Sequence, residues 1–221
     1  MIRELFAEQG ITIGEREESL FETYYENLIS WNKRFNLTAI TDKREVVLKH
    51  FVDSVIAEKY FPYGASVADV GSGAGFPAIP LKIVRGDLSI TMLEALNKRV
   101  GFLQDTLAVL DLPGRALHLR AEEAAYGAMR ESFDVATARA VTNTAMLVQY
   151  LLPLVKVGGA AILYKSAEVE EELKAAESVV KTLGGMISRV DRVDFAGMGR
   201  SIVVIDKIFT TPNAYPRKRI K

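Results

Sequence analysis

The sequence predicts an α/β fold: a mostly parallel, doubly wound sheet of seven strands with an antiparallel C-terminal strand, preceded by an N-terminal helical extension. Three observations predict it. From residue 61 onward, short apolar runs alternate with helical stretches, as in parallel strands joined by right-handed crossovers. The first run, Val67, Ala68 and Val70, passes straight into a glycine-rich turn and then Pro77. Polar residues recur where successive strands end: Asp69 just inside the first, then Glu94, Glu122, Arg139 and Lys165. In a doubly wound sheet that edge is where ligands bind.

Residues 1–60 read as the extension. Leu20, Tyr24 and Leu28 fall four apart, with Phe21 and Tyr25 beside them, so this aromatic stripe is a packing face. Glu15, Glu17 and Glu18 sit in the first turn, where they complement the helix dipole. Trp31 to Ile40 breaks the pattern. Thr41 and Asp42 are candidate N-caps for a next helix, with Glu45 placed as in a capping box. That helix turns Val47, His50, Phe51 and Val55 inward, and His50 reads as a structural histidine. Phe61–Gly64 is a turn and a boundary. The chain thus divides into an extension (1–60), a ligand-binding α/β domain (61–210) and a basic tail (211–221).

The glycine turn is the most informative stretch. Gly71, Gly73 and Gly75 alternate between a strand and Pro77, a residue suited to a helix start. Lacking Cβ, glycines let backbone approach a ligand closely. A dinucleotide fingerprint needs G-x-G-x-x-G/A, but Phe76 occupies the third small position. Asp69 is a poor neighbour for a pyrophosphate and a good one for a cation. S-adenosylmethionine offers a sulfonium and an amino group and no phosphate. Glu94 ends the second strand, Leu88–Leu93, where it can accept both ribose hydroxyls of an adenosine.

After Glu94, Asn97 can cap a helix carrying Val100, Leu103, Leu107 and Leu110. Lys98 and Arg99 stand in its first turn, against the dipole, which hints at an anionic partner. Ala116–Arg120 is a third strand, followed by Ala121 and Glu122, placed to hold an adenine ring. Phe133–Ala138 is a fourth, ending at Arg139. After Gly158-Gly159, AAILY is a fifth, ending at Lys165. Glu168–Leu183 is a helix stopped by Gly184-Gly185. Met186–Val193 and Ser201–Phe209 close the sheet as a hairpin.

Composition excludes several chemistries. No cysteine is present, so a thiolate nucleophile, covalent pyrimidine C5 methylation and a Cys zinc site are ruled out. With only His50 and His118, no metal site is expected. Twenty-eight basic residues balance twenty-eight acidic ones, so any nucleic-acid binding must rest on cations gathered on one face. The charged, amphipathic start and the absence of a long apolar run predict a cytoplasmic protein with no membrane span.

DVGSGAGFPAIPLKI, EALNKRVGFL, RAEE, FDVATARAV and LYK, taken together, resemble the bacterial small-subunit ribosomal RNA guanine-N7 methyltransferases, once called glucose-inhibited division protein B. The resemblance spans about residues 20–218, with FNLTAI and YPRK also matching. It implies a Rossmann-like class I fold that uses S-adenosyl-L-methionine on 16S ribosomal RNA within the small ribosomal subunit. It places Gly71 and Phe76 at the cofactor, with Gly73 on the same turn, Glu94 at the ribose, and Ala121 with Glu122 at the adenine. Arg139 would be the catalytic residue, beside methyl donor and target base and touching cofactor and RNA. Lys98, Arg99 and Lys165 would meet RNA phosphates. Asp69 joins the cofactor set on the charge argument. The tail is shorter than is usual for the family. Two readings stand beside this one: a cofactor-binding ribosome-assembly factor without turnover, and a nicotinamide-dependent oxidoreductase. Amino-N adenine methyltransferases fit less well, because Ala138-Arg-Ala-Val replaces their N/D-P-P-Y-type stretch. The enzyme is expected to act as a monomer.

Overall fold

A computed structural model of the chain describes residues 1–139 and 142–216. Seven strands form one sheet: β1 (Ser66–Val70), β2 (Ser89–Glu94), β3 (Arg115–His118), β4 (Phe133–Arg139), β5 (Val155–Ser166), β6 (Gly185–Phe195) and β7 (Met198–Lys207). Their order is β3-β2-β1-β4-β5-β7-β6. β1 to β5 run parallel, and β7 is antiparallel to both its neighbours. This is the predicted class I architecture with its closing hairpin.

The crossovers supply α5 (Ala78–Val84), α6 (Asn97–Val109), α7 (Ala121–Tyr126), α8 (Thr144–Leu151) and α9 (Glu170–Thr182). The extension supplies α1 (Ile2–Ala7), α2 (Glu15–Asn32), α3 (Lys43–Val46) and α4 (Asp53–Val55), with a π-helical turn, Val47–Val52, joining the last two. One sheet face packs under α7, α8 and α9 around Leu147, Leu151, Ala176 and Val180. The other packs under α5, α6 and the whole extension, where Phe6, Phe21, Tyr24 and Phe51 meet Ile79, Leu81 and Phe102. The extension therefore shares a core with the sheet. No helix among the described residues is long and apolar enough to cross a membrane.

Several local expectations are corrected. Asn97 does not cap α6; Leu96 does, and its N–H is bound by the Glu94 carboxylate at 2.9 Å. Pro77 precedes the first turn of α5 rather than lying in it. β3 stops at His118, because Leu119 and Arg120 lead into α7. Gly158-Gly159 does not interrupt β5, which runs from Val155 through to Ser166. Asp42 caps α3, its carboxylate accepting the Glu45 N–H at 3.0 Å, as expected. The described part of the tail is docked: Arg130 donates to the carbonyls of Thr211 and Tyr215 at 2.7 and 2.8 Å. Arg217, Lys218, Arg219 and Lys221 of the tail, and Ala140 and Val141 of the TARAV stretch, lie outside the described residues.

The glycine turn is locked against the extension. Gly71, Gly73 and Gly75 all have positive φ. The buried Tyr24 hydroxyl donates to the Ala74 carbonyl. At Gly75 (φ +91°) a Cβ would lie 2.5 Å from Ile79 Cδ1 and 2.7 Å from the Tyr24 oxygen. Backbone strain and overpacking then add, so Gly75→Ala should cost about 3 kcal/mol. Thermal unfolding should show this as a Tm lowered by about 6–12 °C.

Candidate functional site

The carboxyl edge of the sheet carries two cavities. The first, about 360 Å³, is lined by Val70 and Gly71 at the end of β1, Glu94 and Ala95 at the end of β2, Arg120, Ala121 and Glu122 beyond β3, and Tyr150 of α8. Four predicted residues, Gly71, Glu94, Ala121 and Glu122, thus meet in one place. Glu94 is only 4 % exposed. Its Oε2 accepts the Gly73 N–H at 2.9 Å, so Gly73 shapes the turn through Glu94 and does not itself line the cavity. Arg99, expected at RNA phosphates, also lines this cavity, with Nη1 3.9 Å from Glu94 Oε2. Lys98 points elsewhere, toward the Phe35 ring.

Asp69 lies on the central strand between Met92 and Thr137. It is completely buried, and neither carboxylate oxygen has a hydrogen-bond partner. Burial pushes its pKa up to about 7, and the Arg139 charge only partly opposes this; the Ser72 hydroxyl donates to the Asp69 main-chain carbonyl at 3.0 Å, not to the carboxylate. A buried carboxylate without a partner beneath a ligand-binding turn is a costly arrangement. A cation bound beside it would offset the cost. The polar lining of the first cavity, Glu94 and Glu122 with Ala121, suits the adenosine of S-adenosylmethionine; Asp69, wholly buried, lines neither cavity and lies one residue before its wall at Val70.

The second cavity, about 380 Å³, opens over the ends of β4 and β5. Lys49, His50 and Asp53 line it from the extension, Arg139, Tyr164 and Lys165 from the sheet, Glu172 from α9 and Arg200 from β7. Asp53 is its hub. It is 1 % exposed, and it accepts from Arg139 Nη1 at 2.9 Å and from Arg200 Nε and Nη2 at 2.8 and 3.1 Å. Arg139 also donates to the Lys49 and His50 carbonyls, both at 3.3 Å, and lies 4.8 Å above the Phe76 ring. Lys165, expected at phosphates, is paired inside the cavity wall with Glu172 Oε1 at 2.6 Å. Phe76 lines neither cavity. Its ring turns into the extension and stacks on His50 with centroids 4.6 Å apart. His50 is held neutral: burial and the Arg139 charge lower its pKa to about 4.

Sequence reasoning missed Asp53, Arg200, Glu172 and Tyr150. The π turn hid the first: it advances the helical phase, so Val52, Asp53 and Ser54 are all buried beside Phe51 and Val55. Arg200 and Glu172 carry no motif; only the antiparallel return of β7 and the start of α9 bring them in.

A family model described as GidB, rRNA small subunit methyltransferase G, matches residues 17–198. The chain belongs to this family. Among curated members of the rRNA small subunit methyltransferase G family, the Leuconostoc citreum protein is 47% identical over 218 residues, covering 95% of this chain and 90% of its own. The Exiguobacterium sibiricum member is 44% identical over 218 residues, covering 96% and 92%. The fold itself recurs more widely. The crystal structure of M. jannaschii TYW2 in complex with AdoMet superposes with a TM-score of 0.56 at 12% identity, covering 71% of this chain and 77% of that one.

Proposed function

We propose that this chain transfers a methyl group from S-adenosylmethionine to N7 of a guanine in 16S ribosomal RNA. The observation that carries the proposal is the pair of cavities along one edge of the sheet: a nucleoside-sized one with two carboxylates, and one over β4 and β5 in which cations outnumber acids. Family membership supplies the reaction class, since the curated relatives are named small-subunit ribosomal RNA methyltransferases. S-adenosylmethionine supplies the electrophilic methyl. Guanine N7 has an in-plane lone pair and no proton, so the chain need not provide a general base. The neutral His50 and the paired Lys165 and Arg139 agree with that. Alignment of the reacting atoms in a water-poor cleft then carries the rate. Arg139 orients; its charge does not stabilise the positive charge that moves onto the base. N7 lies in the narrow RNA major groove when paired, so the target is an unpaired base. The same reading makes the enzyme a cytoplasmic monomer acting on the small ribosomal subunit.

Unmethylated small subunits incubated with methyl-labelled cofactor should take up label, and borohydride–aniline cleavage should map it to one guanine. No incorporation would favour a binding factor without turnover; label on an adenine would overturn the N7 assignment. Titration with NAD and with S-adenosylhomocysteine separates the oxidoreductase alternative, since only the second should bind.

A further inference from the structure

The cations of the second cavity are all paired: Arg139 and Arg200 share Asp53, Lys165 holds Glu172, and Lys49 pairs with Glu45 outside the lining. Arg120 in the lining of the first cavity and Arg34 and Lys98 beside it are not. Arg34 and Lys98 are exposed and make no ion pair among the described residues. Instead both lie beside the Phe35 ring, with Arg34 also 5.4 Å from the Trp31 centroid. The Arg34 guanidinium lies 5.9 Å and the Lys98 ammonium 5.5 Å from the centroid of Phe35. Phe35 leans on Trp31, with centroids 5.6 Å apart. Trp31 is itself fixed, its Nε1–H donating to Asp105 at 2.8 Å and its ring set edge-on to the buried Phe102. The platform is therefore firm below and open above.

The hollow over it has a volume of about 530 Å³, between residues 34–37 on one side and 95–99 on the other. Its lining includes Arg34, Lys98 and Arg99 and no acid. It shares Ala95 and Arg99 with the first cavity, so an occupant would lie next to the methyl donor. In a chain of zero net charge, such a segregated cluster is where a polyanion can dock.

Resting on the function proposed above, we infer that this hollow docks a single-stranded segment of the RNA substrate. One base stacks on Phe35, and neighbouring phosphates meet Arg34, Lys98 and Arg99. Exposed cation–π contacts are weaker than base stacking, so both cations can swing to phosphates and yield the ring face to a base. Single-stranded RNA is recognised by this combination of aromatic faces and backbone cations. An acidic protein segment would use the cations but have no need of the ring.

The test uses the full chain and unmethylated small subunits. Phe35→Ala should raise KM for subunits about tenfold, while the Kd for S-adenosylhomocysteine stays within twofold. Phe35→Trp should restore KM, and Phe35→Leu, which keeps bulk but loses the aromatic face, should not. The double variant Arg34→Ala/Lys98→Ala should flatten the dependence of log Kd on log salt by about 1–1.5. Rescue by Phe35→Leu would reduce Phe35 to packing and overturn the inference. An unchanged salt slope, or a KM unchanged in Phe35→Ala, would do the same. If the wild-type chain transfers no label to subunits, the proposed function fails instead; if it does and Phe35→Ala matches it, this inference fails alone.

Discussion

Arg139→Ala should abolish methyl transfer, lowering kcat about a hundred- to a thousandfold, while cofactor affinity stays within about tenfold. The reason lies in what the guanidinium joins. It reaches from the end of β4 to Asp53 and to the Lys49 and His50 carbonyls, and it covers Phe76 beside the glycine turn. One side chain thus sets the wall of the second cavity relative to the glycine turn. Removing it leaves Asp53, at 1 % exposure, with Arg200 alone. Breaking one arm of a buried ion pair should cost about 3 kcal/mol, seen as a Tm lowered by about 6–12 °C. Transfer must therefore be assayed well below that temperature. Arg139→Lys should not restore activity, because a point charge cannot reach the carboxylate and two carbonyls as a planar fork does. Asp53→Asn keeps the guanidinium but weakens its anchor, and it should lose about tenfold in kcat. Full transfer by Arg139→Ala with only a lowered Tm would make the residue structural. Parallel loss of cofactor binding would move it into the first cavity.

The fold was legible because its signals are local. Apolar runs and helical periods marked every strand, and the glycine turn located the ligand edge without any long-range information. The first cavity was legible for the same reason: Gly71, Glu94, Ala121 and Glu122 lie at or just beyond strand ends, and all four line it. The second cavity was not. Its hub, Asp53, sits where a π turn shifts the phase that sequence periodicity assumes to be constant. Its partner Arg200 arrives on a strand running the opposite way. Lys165 is expected at RNA phosphates, and no local pattern announces Glu172, which pairs with it from the start of α9. Phe76 is expected at the cofactor, yet it lines neither cavity. Its actual neighbours, His50 and Tyr24, come from the extension, more than twenty residues away.

Asp69→Asn should stabilise the protein without ligand and weaken the binding of S-adenosylmethionine, two effects of opposite sign from one buried oxygen. Burial holds the Asp69 pKa at about 7 in the folded chain, against 3.8 as its ordinary value. Between those two values the folded state binds more protons than the unfolded state, so stability falls as pH rises through that window. Below about pH 4 both states are protonated and the penalty vanishes; above about pH 7 it is complete. At 1.36 kcal/mol per pKa unit its ceiling is about 4 kcal/mol. Asn carries no charge to desolvate. The variant should therefore match wild type in unfolding at pH 4 and exceed it increasingly toward pH 8. Binding should move the other way. On the proposed function Asp69 carries the charge that meets the sulfonium and amino group, so its loss should raise the Kd for S-adenosylmethionine about a hundredfold, within the ~1.5–3 kcal/mol typical of hydrogen bonds to charged groups. S-adenosylhomocysteine, which lacks the sulfonium charge, should lose less. Calorimetric titration of both ligands, together with urea unfolding at the two pH values, reads all of this on purified protein without RNA. A variant less stable than wild type at pH 8 would mean that Asp69 already has an internal partner. A variant that bound the donor normally would place the cation elsewhere in the turn.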